Sequence, residues 1–422
     1  MNLKRVLHKA RSKNIPFYIL VLFLFYIALK HFSRRPSAGL VPENLRQYLR
    51  FNEKHTIGGE LTDSEVDRLR VQVEILNTER RVYNEKRFGR VLPETTTIVV
   101  QAHRDVERLQ YLIVSLGQVR YIEDAVLVFS HSYYHPEINS LVRNITFCKV
   151  LQVFFPYSLQ LHPHQFPGAD PNDCSNSSNA LCGKLNNERN ARDAERKQHW
   201  WWTANLIFEH ASWSYTYRGM VIFLEEDNYV LPDLLHMLKY AQRSVTFIPQ
   251  VDVISFGRTY AKDLDYNLLT IEAWRPPYDK GLSFNKTTWR KIVSWLSVFC
   301  MHDDISWSYS LLHLFSRFPK GYAEMAACMA PRVLSTGMFP SGKKAVEVIW
   351  KRLEYSKLYP ESVSAVMLFS QHGRVVRKTR LPPGSGGWND LRDHLLCLDP
   401  LMSTITDPTE DESTTTSPVF VT

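Results

Sequence analysis

No Cys-X-X-Cys spacing occurs among the six cysteines of this 422-residue chain, so the commonest sequence signature of a structural zinc site is missing. Neither a fixed-period repeat nor a nucleic-acid-binding motif is present. That sets aside solenoids and makes nucleic acid a poor partner in spite of a formal net charge of +8. Part of the excess charge is local: Lys4, Arg5, Lys9, Arg11 and Lys13 precede an apolar run, and Arg34 and Arg35 follow it. Elsewhere basic and acidic residues are interspersed as on a solvated surface. That apolar run is the one long one in the chain. The length allows one large catalytic domain or two small ones.

The run, residues 15–32, reads IPFYILVLFLFYIALKHF and is broken only at Lys30 and His31. A bilayer core takes about 20 mostly apolar residues, and a terminal lysine can snorkel to the headgroups. The basic flank before the run directs the N-terminus to the cytosol. A cleaved signal peptide is the competing reading, but HFSRRPSAGL fits a cleavage site poorly. Residues 1–14 are therefore expected as a cytosolic tail, 15–32 as a retained transmembrane signal anchor, and the rest as lumenal. Sequons at Asn144, Asn176 and Asn285 agree with that compartment. Cysteines in such a compartment are expected to be partly disulfide-bonded.

Residues 33–92 read as a stem. Within it Thr62 to Glu65 supplies helix-capping signals, and Val66, Leu69, Val73 and Leu76 recur at helical spacing. Such a helix either packs on the domain or self-associates, which leaves a homodimer open. From residue 93 the pattern changes. TTTIVVQAH, AVLVFSH and KVLQVFFP read as buried strands separated by helical stretches, and β-α-β-α-β order implies an α/β domain, 93–400, with a mostly parallel sheet. Residues 401–422 are polar, acidic and Thr-rich and read as disordered.

Five stretches carry chemistry. Glu225-Glu226-Asp227 follows the apolar strand MVIFL, and the carboxyl ends of strands are where open α/β sheets bind ligands. Acidic groups there can hold Mg²⁺ or Mn²⁺ against a diphosphate. Trp200-Trp201-Trp202 would cover all faces of a helix, so part of it is core, while Lys197 before it could meet a diphosphate. Gln101 to Asp105, at the exit of the first strand, is the natural place for a base and ribose. His302-Asp303-Asp304 precedes Trp307 and Ser308 and offers either a general base or a helix N-terminus. Gly386-Gly387-Trp388, ending at Cys397, reads as a C-terminal clasp.

Taken together, VLVFSH, VLQVFFPYSLQL, FPGADPNDC, HWWW, VIFLEEDNYVLPD, FCMHDD, APRVLSTG and GGWNDLRDHLLC resemble the N-acetylglucosaminyltransferase II family from about Thr95 to Cys397. The resemblance implies a GT-A-type nucleotide-sugar-binding fold. It also implies inverting, Mn²⁺-dependent transfer of N-acetylglucosamine from its UDP-sugar to the α-1,6 mannose arm of an N-glycan in the Golgi. It places Asp227 on the metal, Gln101 and His103 in the nucleotide site, and Lys197 and His199 near the donor. It pairs Cys300 with Cys397 and Cys174 with Cys182.

This chain departs from the family pattern at four polar positions. Arg104-Asp105 stands where the family has Asn-Arg, and Ser132 where it has an aspartate. Ser308 replaces the family's base, and Ser335 its histidine metal ligand. Two functions follow. One is an active transferase in which Asp303 or Asp304 serves as base. The other is a catalytically weak homologue that binds nucleotide or glycan, or partners an active enzyme.

Overall fold

In the computed structural model, which describes residues 41–49, 61–173, 189–247, 251–257, 264–367 and 381–399, the β-branched runs fold as the sequence pattern predicts. The strands are β1 (Val82–Tyr83), β2 (Thr97–Ala102), β3 (Val126–His131), β4 (Lys149–Phe154), β5 (Val221–Glu225), β6 (Asn228–Val230), β7 (Val253–Ser255), β8 (Leu268–Ala273), β9 (Leu282–Phe284), β10 (Glu324–Cys328), β11 (Val333–Ser335) and β12 (Ser364–Met367). The helices used below are α1 (Asp63–Glu79), α2 (Val106–Leu116), α3 (Pro136–Arg143), α4 (Ala191–Asn205), α5 (Leu234–Phe247), α6 (Lys286–Val293), α7 (Leu296–Met301), α8 (Trp307–Phe315), α9 (Gly342–Leu353) and α10 (Leu391–Leu398).

One sheet runs β1-β4-β3-β2-β5-β9-β7-β10-β8-β12. Its heart, β4-β3-β2-β5, is parallel. The antiparallel β9 bridges β5 to β7. Side chains alternate across each strand. Ile98 and Val100 of β2 pack with Leu109, Leu112 and Ile113 of α2 and Leu238 of α5. Val99, between them, faces the other layer with Trp200 and Trp201 of α4 and Leu311 of α8. A strand buried on both faces needs a continuous apolar run, and that is what made these strands readable.

Three segments differ from the sequence pattern. After the acidic turn, Asn228–Val230 does not lead straight into a helix but pairs antiparallel with β11, which brings residues 335–337 back to the turn. The helix that carries the three tryptophans ends at Asn205 and continues as a π-helical turn, Leu206–His210. The tryptophans are all core: Trp200 stacks on Trp307 at 4.6 Å, and Trp201 on Phe299 at 4.7 Å.

Helix α1 lies inside the span read as stem, and it packs on the domain. Val73 joins Phe154 and Leu161, and Asn77 exchanges two hydrogen bonds with the Phe154 backbone, at 2.6 and 2.8 Å. Among the described residues no helix is long and apolar enough to cross a membrane; the run at 15–32 lies outside them, as does the tail at 401–422.

The C-terminal segment is a clasp. Cys300 is disulfide-bonded to Cys397. Gly386 and Gly387 both have φ of 81°, and a Cβ on Gly387 would lie 2.8 Å from Ile305, so the glycine pair admits the close approach. The indole of Trp388 is buried and donates to the Cys300 carbonyl at 2.8 Å. Asp393 is sealed against Arg189. Cys174 and Cys182 lie outside the described residues; Cys148 and Cys328 are buried free thiols.

Candidate active site

The turn after β5 places three carboxylates in three different environments. Glu226 folds back onto the exit of β2, where its two oxygens accept the backbone N–H groups of His103 at 2.6 Å and Asp105 at 3.3 Å. Burial pushes its pKa up to about 8, against the pull of those amides. Glu225 accepts from the Trp307 indole at 3.3 Å; burial, then the neighbouring Asp227, raises it to about 7. Asp227 takes the Asn228 amide on one oxygen at 2.8 Å and the Ser335 hydroxyl on the other at 2.9 Å. Its carbonyl accepts from the Thr336 N–H and hydroxyl, both at 2.7 Å. The two residues assigned to a metal, Asp227 and Ser335, therefore meet. They do so because β6 and β11 pair Asn228 with Ser335.

These groups border a cavity of about 480 Å³, walled by Gln101, His103, the 193–200 face of α4, the Asp279–Lys280 turn and Ile305–Trp307. A second cavity of about 500 Å³ adjoins it through His103, Arg196 and Glu226 and extends past Arg104, Asp105 and Ser132. The structure thus brings together Gln101, His103, Arg104, Asp105, Ser132, Asp227 and Ser335. His103 Nδ1 lies 2.6 Å from the Ser132 hydroxyl. Burial, then the cations Arg196 and Arg104, lowers the pKa of His103 to about 4, so the ring is a neutral hydrogen-bonding group. Arg104 lies over the Tyr133 ring at 4.4 Å. Asp105 is the N-cap of α2 and ion-pairs with Arg108 at 2.6 Å.

Five of the expected site residues lie away from the cavities. Lys197 is fully buried, and its ammonium donates to the carbonyls of His302 and Asp304 at 3.1 and 3.0 Å, 4.0 Å from the Trp388 ring centre. It holds the clasp's docking turn and does not face the donor cavity. His199 is also buried, behind His103, with Nε2 on the Ser130 hydroxyl at 2.8 Å. Asp304 accepts from the Ser306 N–H at 2.7 Å and the Ser385 N–H at 2.9 Å, and Asp303 from the Trp388 N–H at 2.9 Å. Both carboxylates fasten the clasp; neither is among the residues that wall the two cavities. Asp304 also precedes α8, so it does not share a helix face with Ser308. Ser308 is buried, its hydroxyl 3.1 Å from that of Ser306.

Several cavity residues escaped sequence reading: Arg108, Asp193, Asp279 and Lys280. Arg196 stood beside Lys197 in the same motif, and helical phase could have separated the two. Residues 193, 196 and 200 share one face of α4, whereas 197 is turned about 100° away. Asn144 is exposed, and the Asn285 amide oxygen caps α6; Asn176 lies outside the described residues.

A sheet with a parallel heart, carrying an acidic turn at the carboxyl end of a central strand beside a cavity, is an α/β glycosyltransferase-type domain. The model of the family N-acetylglucosaminyltransferase II (MGAT2) matches residues 70–397, and the chain belongs to this family. The alpha-1,6-mannosyl-glycoprotein 2-beta-N-acetylglucosaminyltransferase of Homo sapiens is 31% identical over 358 residues, covering 78% of each chain. That of Mus musculus is 32% identical, covering 78% of this chain and 79% of its own, and that of Arabidopsis thaliana is 26% identical, covering 74% and 76%.

Proposed function

We propose that this chain transfers N-acetylglucosamine from UDP-N-acetylglucosamine to the α-1,6-linked mannose of an N-glycan core, forming a β-1,2 linkage with inversion, on a GT-A-type domain. The observation that carries the reading is the meeting of Asp227 with Ser335 at the cavity end of β5, in a chain of this family. Two adjoining cavities suit a donor with a nucleotide half and a sugar half. His103, Ser132 and Arg104 would border the nucleotide side, and Glu225 and Trp307 the sugar side.

The residues fit a divalent cation of the Mn²⁺ type. Asp227 and Ser335 offer the oxygen donors such an ion prefers. Gly337 keeps the space open, since a Cβ there would lie 2.4 Å from Asp227 Oδ2. Among the described residues no three His, Cys, Asp or Glu side chains are grouped to hold a metal, so diphosphate and water oxygens would complete the shell. The ion would supply charge neutralisation at the departing diphosphate. The reading includes a Golgi location as a single-pass type II protein, supported by the basic flank of 15–32 and the sequons.

A second reading, a weakly active or inactive homologue that binds nucleotide or glycan, is favoured by one observation. Asp303 and Asp304 are both spent on the clasp, and Ser308 has only a hydroxyl to offer. Calorimetry of UDP with the purified lumenal portion separates metal-dependent binding from its absence. Binding should need Mn²⁺ and should be lost in Asp227→Ala. Equal affinity in chelator, or an unaffected variant, would remove the metal role.

A further inference from the structure

If Asp303, Asp304 and Ser308 are excluded, the attacking hydroxyl still needs a proton acceptor, and the carboxylates of the sugar-side cavity can be compared one by one. Glu226 is occupied by two backbone N–H groups, Asp227 by Asn228 and Ser335, and Glu225 by the Trp307 indole. Asp193 also lines the cavity and makes no side-chain hydrogen bond among the described residues, but neither of its oxygens is shut off from solvent, so water can serve it. Asp279 differs. Its side chain makes no hydrogen bond among the described residues, and Oδ1 is shut off from solvent without a partner. A carboxylate in that state lacks a donor, and a sugar hydroxyl is one.

Its position is also fixed. The preceding carbonyl, of Tyr278, accepts from the Ser255 hydroxyl at 2.9 Å and the Trp274 indole at 3.1 Å. Gly281, at φ 63°, is pressed on Val333, and a Cβ on Gly257 would lie 2.5 Å from Lys280. The turn therefore sits between β7 and β11 without room to swing, which is the rigidity a proton-transfer group requires. An independent observation points to a polar ligand in the same cavity. Gln101 is 3% exposed, borders the cavity, and its Nε2 has no partner among the described residues. A buried amide N–H left unmade costs about 1–3 kcal/mol, so it too awaits an oxygen.

We propose that Asp279 is the general base of this enzyme, with Gln101 Nε2 donating to an oxygen of the bound donor; this rests on the transferase reading above. As the acceptor's hydroxyl oxygen bonds to the anomeric carbon, its proton passes to the Asp279 carboxylate. The bond from that carbon to the diphosphate oxygen breaks, and its electron pair leaves with UDP. No further reactant is needed. Asp279 thereby does from the β8–β9 turn what the chain lacks at Ser308.

The test is Asp279→Asn, which keeps the shape and removes the basicity. Losing a general base costs about 10²–10⁴-fold. With UDP-N-acetylglucosamine, Mn²⁺ and a glycan bearing a free α-1,6 mannose, kcat should fall by that factor while UDP binding by calorimetry stays unchanged. Sodium formate should restore part of the rate in Asp279→Ala, which a merely structural role would not allow. A wild-type enzyme that transfers, with Asp279→Asn equally fast or Asp279→Ala deaf to formate, overturns the base assignment and leaves the transferase reading standing. A wild-type protein that neither transfers nor hydrolyses the donor overturns both.

Discussion

Replacing Cys300 and Cys397 together with alanine should lower the unfolding free energy by about 4.7 kcal/mol. The bond joins residues 97 apart, and in the chain-entropy model closing a loop of about 100 residues removes that much freedom from the unfolded state. The consequence reaches the site. Cys300 ends the helix that leads into the His302–Asp304 turn, and that turn continues into Ile305–Trp307, a wall of the cavity. Without the bond, the 384–388 segment keeps its hydrogen bonds to Asp303 and Asp304, and Trp388 its bond to the Cys300 carbonyl and its contact with Lys197. Chemical denaturation of oxidised wild type and the double variant checks this. A midpoint shift equivalent to less than about 1 kcal/mol would show that the clasp is held by its other contacts alone.

Asp393→Ala should cost about 3–5 kcal/mol. Its carboxylate meets the Arg189 guanidinium at 2.6 and 3.0 Å, and the two side chains are 0% and 1% exposed. Removing one member of a buried pair leaves the other charge uncompensated in a medium that solvates it poorly. Arg189 keeps Asp173 at 2.9 Å and the carbonyls of Pro167 and Gly168, which holds the loss to that range. The matched variant Arg189→Met with Asp393→Leu removes both charges and should recover much of the loss. A single variant as stable as wild type would mean that the pair contributes nothing net.

The parallel heart of the sheet was legible because strands buried on both faces are near-continuous apolar runs, as IVV and VLVF are and as VLQVF is but for Gln152. The acidic turn was legible because it follows such a strand directly. What escaped was set by contacts distant in sequence. Asp304 looks like a free carboxylate in HDD, and only the return of residues 384–388 shows that both its oxygens are taken. Lys197 looks like a phosphate ligand until helical phase turns it inward and leaves Arg196 at the cavity. Asp279 sits in a Pro-Pro-Tyr-Asp-Lys-Gly turn with no periodic signal; its place beside the cavity is set by packing of the turn on Gly257 and Val333, which lie 22 residues before it and 54 after. Ser335 was found through resemblance, and its meeting with Asp227 follows from the β6–β11 pairing, which the sequence did not announce.

The most direct measurement is transfer itself. The purified protein is incubated with UDP-N-acetylglucosamine, Mn²⁺ and an N-glycan whose α-1,6 mannose is free, and the product is read by mass spectrometry and linkage analysis. The expected result is addition of one N-acetylhexosamine, β-1,2-linked to that mannose, abolished by chelator. The absence of both transferred sugar and donor hydrolysis, at protein concentrations where UDP binding is saturated, would contradict it and leave a nucleotide-binding homologue in its place.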